Sequence, residues 1–372
     1  MITELFPDSD VPEVTGGVEN RVFYVVRRLR QRHDVTVLAG GTAGGSQWRP
    51  ASVGSIPLRL RRMINLFRRG LREDFDLVES SILVVHPIAF LLGKLKRKPV
   101  VFWYPDVLIG HWRGGAFSRL AGIIGELYER FVLTLPIDRY IVISKATRDK
   151  LLARRVRPER IDIVHCGFDP RVADAARAAA ARAAEPAPSI ITASRLVPYK
   201  RIDLVVTALA LLTDRHPDLR LRIIGQGPER ERLESLARTL GVTERIEFLG
   251  FVPSHDDVMR EIAKSTIFVS ASQIEGFGIS VVEATAVEVP FVITDMPVFR
   301  EVTRDGTGGL LFESGNAEDL ADKIDTLLTD EALRASCHEE AASLVDSYDW
   351  DALGDETAAV FEDVIAAHKA RQ

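Results

Sequence analysis

Apolar residues follow two alternating patterns along this chain. Short continuous apolar runs, as in buried parallel strands, alternate with longer stretches in which apolar residues return every three or four positions. The runs predict strands at 35–39, 77–80, 100–104, 139–143, 161–165, 189–193, 221–224, 246–249, 267–269 and 291–294. The stretches predict helices at 18–32, 59–72, 118–133, 145–154, 201–213, 229–240, 255–263, 279–286 and 317–328. The alternation therefore predicts one doubly wound parallel α/β unit followed by another.

The pattern changes near the middle of the chain and again near its end. An alanine-rich stretch at 178–184 predicts a short helix, and the proline-rich segment 185–188 that follows it indicates a boundary. Residues 350–370 show an amphipathic helical pattern after the second unit is complete. We expect an N-terminal domain over 1–168, a C-terminal domain over 169–349, and a final helix over 350–372 that packs back on the first domain.

Composition narrows the class of protein. Of the 372 residues, 46% are hydrophobic and 27% are charged, which is typical of a soluble globular protein. No apolar run is long enough for a transmembrane helix, and residues 1–10 do not resemble a secretion signal. Two scattered cysteines, Cys166 and Cys337, favour a reducing cytoplasm. The histidines lack the spacing of metal ligands, and none of the three Asp-x-Asp pairs follows a predicted strand as a metal–diphosphate site would require. We therefore expect no obligatory metal.

Charge is distributed unevenly between the two halves. Residues 1–168 carry 27 Lys+Arg against 17 Asp+Glu, whereas the remainder carries 21 against 36. The segment 58–72 is basic and amphipathic, so it could lie on an anionic membrane surface or form an ordinary arginine-rich surface helix. Aromatic residues are few, which argues against a nucleic-acid partner.

The richest motif is Glu275-Gly276-Phe277-Gly278, followed by Glu283. It places two carboxylates eight residues apart around a glycine turn between a predicted strand and a predicted helix. Glycines at a helix N-terminus let backbone N–H groups approach an oxygen-rich ligand. The motif therefore favours a polyhydroxylated, phosphorylated ligand, although two solvated glutamates at an ordinary turn would look similar.

Two further loops follow predicted strands in the second half. Arg195 and Lys200 lie in the first loop, where a guanidinium fork and an ammonium group could hold a diphosphate without a metal. The second loop contains Gly225-Gln226-Gly227-Pro228. Because it lacks the third glycine of a dinucleotide fingerprint, we interpret it as a tight strand–helix turn.

The order of these motifs resembles the family-4 retaining glycosyltransferases, which have the GT-B fold of two Rossmann-like domains facing a cleft. The matching segments are Thr15-Gly16-Gly17-Val18-Glu19, His165-Cys166-Gly167-Phe168-Asp169, Ser194-Arg195-Leu196 with Lys200, Ile246-Glu247-Phe248-Leu249-Gly250-Phe251-Val252, Glu275-Gly276-Phe277-Gly278 with Glu283, Gly308-Gly309-Leu310-Leu311-Phe312 and Tyr348-Asp349-Trp350. Single segments are weakly specific, but the ordered set spans nearly the whole chain.

The resemblance implies a donor site in the second domain and an acceptor site in the first. Glu275 and the backbone of Gly276, Phe277 and Gly278 would contact the sugar hydroxyls of a nucleotide-diphosphate sugar, and Glu283 the ribose. Arg195 and Lys200 would hold the diphosphate, with Gly16 and Gly17 closing over it. Gly250, Phe251 and Val252 would lie near the base. The implied acceptor is a hydroxyl on a glycan, a lipid-linked molecule or a small molecule.

Two positions depart from the family pattern. The family often has His-Asp after the strand at 100–104, where this chain has Pro105-Asp106, with His111 further along the loop. We expect Asp106 and His111 to be the catalytic candidates, although His111 could be an ordinary loop histidine. Glu288 stands where the family prefers glycine. Two alternatives stay open: a nucleotide-sugar epimerase of the same fold, and a nucleotide-sugar-binding protein without catalysis. For each of these functions we expect a cytoplasmic protein. It would be peripheral at the inner face of the membrane if residues 58–72 bind lipid.

Overall fold

The chain folds into two units, each built on one parallel sheet. The structure, a computed structural model, describes residues 1–6, 17–42, 56–112, 119–181 and 188–372. The first unit comprises the described residues up to Cys166 together with Trp350–Gln372, and the second is Gly167–Asp349. Parallel sheets covered by helices confirm the prediction of one doubly wound α/β unit followed by another.

The first unit has a six-stranded sheet with the order β2-β1-β3-β4-β5-β6. Its strands are β1 (Ile2–Phe6), β2 (Leu38–Thr42), β3 (Val78–Ser80), β4 (Val100–Tyr104), β5 (Arg139–Val142) and β6 (Ile161–Ile163). Its helices are α1 (Gly17–Leu29), α2 (Ile56–Arg72), α3 (His86–Lys96), α4 (Arg119–Leu133), α5 (Lys145–Leu152) and α14 (Trp350–Lys369). Strand β4 is buried along its whole length, as expected for a parallel strand covered on both faces.

The second unit has a six-stranded sheet with the order β12-β11-β10-β7-β8-β9. Its strands are β7 (Ser189–Ala193), β8 (Arg220–Ile224), β9 (Ile246–Gly250), β10 (Ile267–Ser270), β11 (Phe291–Thr294) and β12 (Gly309–Phe312). Its helices are α6 (Pro170–Ala180), α7 (Ile202–Leu212), α8 (Arg230–Thr239), α9 (His255–Ala263), α10 (Ile279–Ala286), α11 (Pro297–Val302), α12 (Ala317–Thr329) and α13 (Glu331–Val345).

The last helix returns to the first unit and packs on its first helix. The rings of Tyr24 on α1 and Trp350 on α14 stack with centroids 5.6 Å apart. Arg28 donates to both carboxylate oxygens of Asp355, at 2.9 and 2.5 Å. A stacked aromatic pair and a bidentate ion pair thus join segments that are more than 300 residues apart in sequence.

Two local predictions differ from the structure. The strand expected at 35–39 begins at Leu38, because it pairs with β1 and Ile2 lies opposite Leu38. The apolar pattern did not indicate β1. Of the helix expected at 178–184, residues 182–184 lie outside the described residues, and 178–180 belong to α6. Helix α6 begins earlier than expected, at Pro170, because the Asp169 side chain accepts a hydrogen bond from the Arg171 amide at 3.1 Å.

Candidate functional site

The candidate site lies where the second sheet reverses its strand order. Strands β7 and β10 are neighbours and parallel, with Ile190 opposite Ile267. From this pair the chain builds β8 and β9 on one side and β11 and β12 on the other. The loops that leave β7 and β10 therefore diverge at the same edge, which is where open α/β sheets bind ligands. These two loops carry Arg195, Lys200 and Glu275.

The loop after β7 is fixed by the loop after β8. The Ser194 amide donates to the Ile224 carbonyl at 3.0 Å, and the Leu196 amide donates to the Gln226 carbonyl at 2.9 Å. A Cβ at Gly225 would lie 1.8 Å from the Ser194 carbonyl oxygen, and Gly225 has φ +134°. Only glycine allows this close approach of two backbones. The Gly225-Gln226-Gly227 turn thus supports the 194–196 loop.

The two cationic residues of the loop after β7 have different surroundings. Arg195 is exposed, and its guanidinium donates to the Tyr199 hydroxyl at 2.6 Å. Lys200 is largely buried and forms an ion pair with Glu275. The Tyr199 carbonyl also accepts from the Gln273 amide at 2.8 Å, which ties the two loops together. The structure therefore brings together Lys200 and Glu275, two residues that the sequence places 75 positions apart.

The turn after β10 ends at a glycine that begins a helix. Gly278 has φ +89° and precedes α10, and a Cβ there would lie 2.5 Å from Cε1 of Phe299. Phe277 is buried, with its ring edge-on to Tyr348 at 5.8 Å between centroids. The Phe277 side chain anchors the turn, which leaves the backbone amides of 276–278 near the helix N-terminus, a favourable position for anionic or hydroxyl oxygens.

Glu283 lies one turn into α10 and is nearly buried. Its Oε1 atom is 3.7 Å from Nδ1 of His255, the first residue of α9. Burial raises the pKa of the Glu283 carboxyl, and the neighbouring His255 lowers it. His255 has no sequence signal of its own, because the preceding Ser254 marks only a helix start.

The segment after β9 contains the predicted base-binding residues. The Gly225 amide donates to the Gly250 carbonyl at 2.7 Å, and Gly250 has φ +69°. Phe251 and Val252 are half-buried and lead into α9. Because Gly250 is bonded to the loop after β8, the segment is part of the same edge of the sheet as Arg195.

The two catalytic candidates of the first unit lie in the loop after β4. Asp106 forms an ion pair with Lys150 of α5 at 2.5 Å, and the His111 side chain is exposed. Glu129 of α4 is buried and organises this loop by accepting hydrogen bonds from Tyr104, Leu108 and Trp112. Burial raises the pKa of the Glu129 carboxyl, and these hydrogen bonds oppose the shift. The catalytic roles of Asp106 and His111 stay predictions.

The predicted glycine loop is only partly described. Gly16 lies outside the described residues, and Gly17 is the first residue of α1. In the described part of the chain, no group of three or more His, Cys, Asp or Glu side chains could hold a metal ion. No described helix has the length and apolar character needed to cross a membrane.

Two family models cover most of the chain. The model described as Glycosyltransferase Family 4 matches residues 15–172, and the model described as Glycosyl transferases group 1 matches residues 176–344. A D-inositol 3-phosphate glycosyltransferase of Streptomyces bingchenggensis is 30% identical over 314 residues, which are 79% of this chain and 68% of that protein. The chain belongs to glycosyltransferase family 4.

Other relatives are matched over a smaller share of their length. An exopolysaccharide phosphotransferase of Streptomyces coelicolor is 38% identical over 155 residues, which are 41% of this chain and 16% of that protein. Several further relatives are covered over 44–46% of their length. The chain thus spans less than half of many of the curated relatives that it matches.

Solved structures show the fold. HepE of Anabaena, crystallised with UDP and glucose, superposes with a TM-score of 0.76 at 20% identity, over 97% of this chain and 99% of that one. A likeness at this identity concerns the fold alone. The chain has the GT-B fold of family 4, with two Rossmann-like parallel-sheet domains.

Proposed function

We propose that this protein is a retaining glycosyltransferase that moves a sugar from a nucleotide-diphosphate sugar to a hydroxyl acceptor. The observation that carries the proposal is the pairing of Lys200 with Glu275 at the switch point of the second sheet. The Lys200 ammonium group can bind phosphate, and the Glu275 carboxylate can accept from sugar hydroxyls. The two groups meet beside the first turn of helix α10. Family membership and the UDP and glucose bound to HepE support the same reading.

The second unit would bind the donor as follows. Arg195 and Lys200 hold the diphosphate, and Glu275 with the amides of 276–278 holds the sugar hydroxyls. Lys200 has three N–H donors, so it can keep one on Glu275 and direct others to phosphate. Glu283 accepts from the ribose hydroxyls, and the base lies near 250–252. We propose that the first unit binds the acceptor and contributes Asp106 and His111.

The arrangement favours donor binding over glycosidase-type chemistry for the two glutamates. Glu275 is paired with the Lys200 ammonium group, and the His255 imidazole lies beside Glu283, so neither carboxylate stands alone. In a retaining glycosidase, one carboxyl would be a nucleophile and the other an acid/base. In the proposed transfer, the acceptor oxygen attacks the anomeric carbon from the face that the diphosphate leaves, and the leaving phosphate takes the acceptor proton. Arg195 and Lys200 stabilise the charge that develops on it, without an obligatory metal.

Product analysis tests this function. The purified protein is incubated with a panel of nucleotide sugars and hydroxyl acceptors, and products are identified by mass spectrometry and by the anomeric signal in NMR. We expect an acceptor-dependent glycoside with the anomeric configuration of the donor, formed equally in EDTA. An inverted product, or a product that requires a divalent metal, would contradict the mechanism.

The two alternative functions give different results in the same assay. An epimerase changes the nucleotide sugar without any acceptor. A binding protein without catalysis binds the nucleotide sugar and leaves it intact with every acceptor. Asp106→Asn and His111→Ala separate transfer from binding, because we expect transfer to fall while donor affinity stays unchanged.

We also propose a contact with anionic membranes through residues 58–72, which would serve a lipid-linked acceptor at the inner face of the membrane. On α2, the exposed side chains of Arg61, Ile64, Arg68 and Leu71 recur at helical spacing. Exposed apolar side chains also lie on α3 and α4 of this unit: Leu91, Leu95, Leu120, Ile124, Leu127 and Phe131. Basic and apolar groups together fit an anionic lipid surface.

Vesicle sedimentation tests the membrane contact. The protein should sediment with phosphatidylglycerol vesicles and not with phosphatidylcholine vesicles. Replacing both Arg61 and Arg68 by alanine should weaken that binding, whereas Arg238→Ala on α8 of the second unit should not. Equal sedimentation with both kinds of vesicle, or with neither, would contradict the proposed membrane contact.

A further inference from the structure

His255 is held in place beside Glu283 by the start of helix α9. Ser254 precedes it, and the Ser254 hydroxyl oxygen accepts a hydrogen bond from the Asp257 amide at 3.4 Å, as an N-cap does. The side chains of His255 and Glu283 are only 11% and 9% exposed. The imidazole therefore occupies a defined place against the carboxylate, with Nδ1 3.7 Å from Oε1.

Two basic side chains on helices that pack against α10 contact a carboxylate other than Glu283. Arg177 of α6 pairs with Glu288 and Asp174, and His338 of α13 also pairs with Glu288. Within the described residues, the Glu283 carboxylate accepts no hydrogen bond, and His255 is the side chain that lies within ion-pair distance of it. A nearly buried carboxylate without donors is costly unless a ligand supplies them.

The position of the pair suggests which ligand group supplies those donors. Glu283 lies on α10, after the turn that would hold the sugar, and His255 lies three residues after Val252, beside the predicted base. In the proposed donor complex, the ribose of the nucleotide would lie between these two segments. The two adjacent hydroxyls of a ribose donate best to a carboxylate whose two oxygens both face them, so the orientation of the carboxylate decides how well they bind.

We propose that His255 is a positioning residue of the nucleoside subsite. It orients the Glu283 carboxylate so that both ribose hydroxyls donate to it, and it thereby sets the preference for ribonucleotides over 2′-deoxyribonucleotides. This inference rests on the proposed function, because it assumes that Glu283 faces the ribose of a bound donor. It adds a residue and a specificity that the donor motifs do not contain.

Calorimetry with paired nucleotides tests the inference. UDP, GDP and ADP are titrated into the full chain, and the best binder is compared with its 2′-deoxy form. A hydrogen bond to a charged group corresponds to about a 10- to 100-fold preference for the ribonucleotide. We expect His255→Leu to reduce that ratio by at least about fivefold, mainly through weaker ribonucleotide binding.

An isosteric pair of variants keeps the test independent of folding defects. The amide nitrogen of His255→Asn stands near the place of Nδ1, whereas that of His255→Gln stands near Nε2, away from Glu283. We expect the asparagine variant to retain more of the ratio than the glutamine variant. The control is His216→Leu, because His216 forms a similar pair with Asp325 at 2.6 Å but lies before β8, at the opposite edge of the sheet.

The outcomes distinguish this inference from the function on which it rests. If the wild type prefers the ribonucleotide and both His255→Leu and His255→Gln keep the full preference, His255 has no positioning role and the donor site stands. If Glu283→Gln binds ribo- and deoxyribonucleotides as the wild type does, Glu283 does not face the ribose. If the wild type binds no nucleoside diphosphate, the proposed function fails, and the inference fails with it.

Discussion

At the scale of single residues, the buried carboxylate of Glu283 lowers the free energy of unfolding when it is ionised. Burial raises the pKa of Glu283. Because this pKa is higher in the fold than in the unfolded chain, the ionised carboxylate costs stability above the folded pKa, and the cost vanishes below the unfolded pKa. Lys200 and Glu275 instead offset one another in a partly buried pair. Such sites commonly trade stability for binding.

Replacement of Glu283 by glutamine, its neutral isostere, tests whether the buried charge costs stability. Glu283→Gln should raise the melting temperature near pH 7.5 by about 2–4 °C, which corresponds to about 1 kcal/mol in a domain of this size. The gain should disappear near pH 4, where the wild-type carboxyl is protonated in both states. Thermal denaturation at the two pH values measures this, and a lower melting temperature near pH 7.5 would contradict it.

Glu288 shows how the chain accommodates a departure from its family pattern. It has φ +60°, a conformation that favours glycine, yet its carboxylate pairs with Arg177 and His338. Glu288→Ala removes the ion pairs and keeps the backbone strain, whereas Glu288→Gly removes both. We therefore expect the glycine variant to be about 1 kcal/mol more stable than the alanine variant in urea unfolding. Equal stabilities would show that the strain is absent.

The sequence indicated the residues of the proposed donor site by type and order, but not the contacts among them. Arg195, Lys200, Glu275 and Glu283 stand in recognisable motifs. The Lys200–Glu275 pair and the His255–Glu283 pair depend on which strands are adjacent, and a single sequence does not specify that order. His255 in particular looks like an ordinary first residue of a helix.

At the scale of elements, the turn after β10 depends on one glycine. Gly278→Ala places a methyl group against the Phe299 ring and imposes φ +89° on a residue with a Cβ. We expect a loss of about 1–3 kcal/mol in stability and a clear loss of nucleotide-sugar affinity, since the backbone amides move with the turn. Urea unfolding and calorimetry measure the two effects.

Gly241 provides the matched control for that substitution. It has φ +71°, but a Cβ there would meet nothing within 4 Å. Gly241→Ala should therefore cost about 1 kcal/mol through backbone strain and leave nucleotide-sugar binding unchanged. Equal loss of binding in both variants would mean that the turn after β10 has no special role in binding.

Element boundaries were predictable where local signals were strong. Helix α9 follows a Ser N-cap, and α10 follows a glycine, and both have the predicted bounds. Strand β1 and helix α3 were not predicted, because β1 is a short run at the chain start and α3 has no side-chain cap. Pairing within the sheet, which places β1 between β2 and β3, decides the position of β1.

At the scale of the whole molecule, the ordered motifs were more informative than any one of them. They predicted family 4 and two α/β units, and both predictions are confirmed. The charge imbalance between the halves also belongs to this scale. The basic first half fits an anionic partner, and in the acidic second half the proposed diphosphate site depends on Arg195 and Lys200.

The most direct test of the donor site is calorimetric titration with UDP-, GDP-, ADP- and dTDP-sugars. The control is Lys264→Met, because Lys264 pairs with Glu261 at 2.9 Å and precedes β10, at the opposite edge of the same sheet. We predict that the wild type binds one of these nucleotide sugars, that Lys200→Met weakens this binding at least about tenfold, and that Lys264→Met does not. Binding of none of them, or unchanged affinity in Lys200→Met, would contradict the proposed donor site.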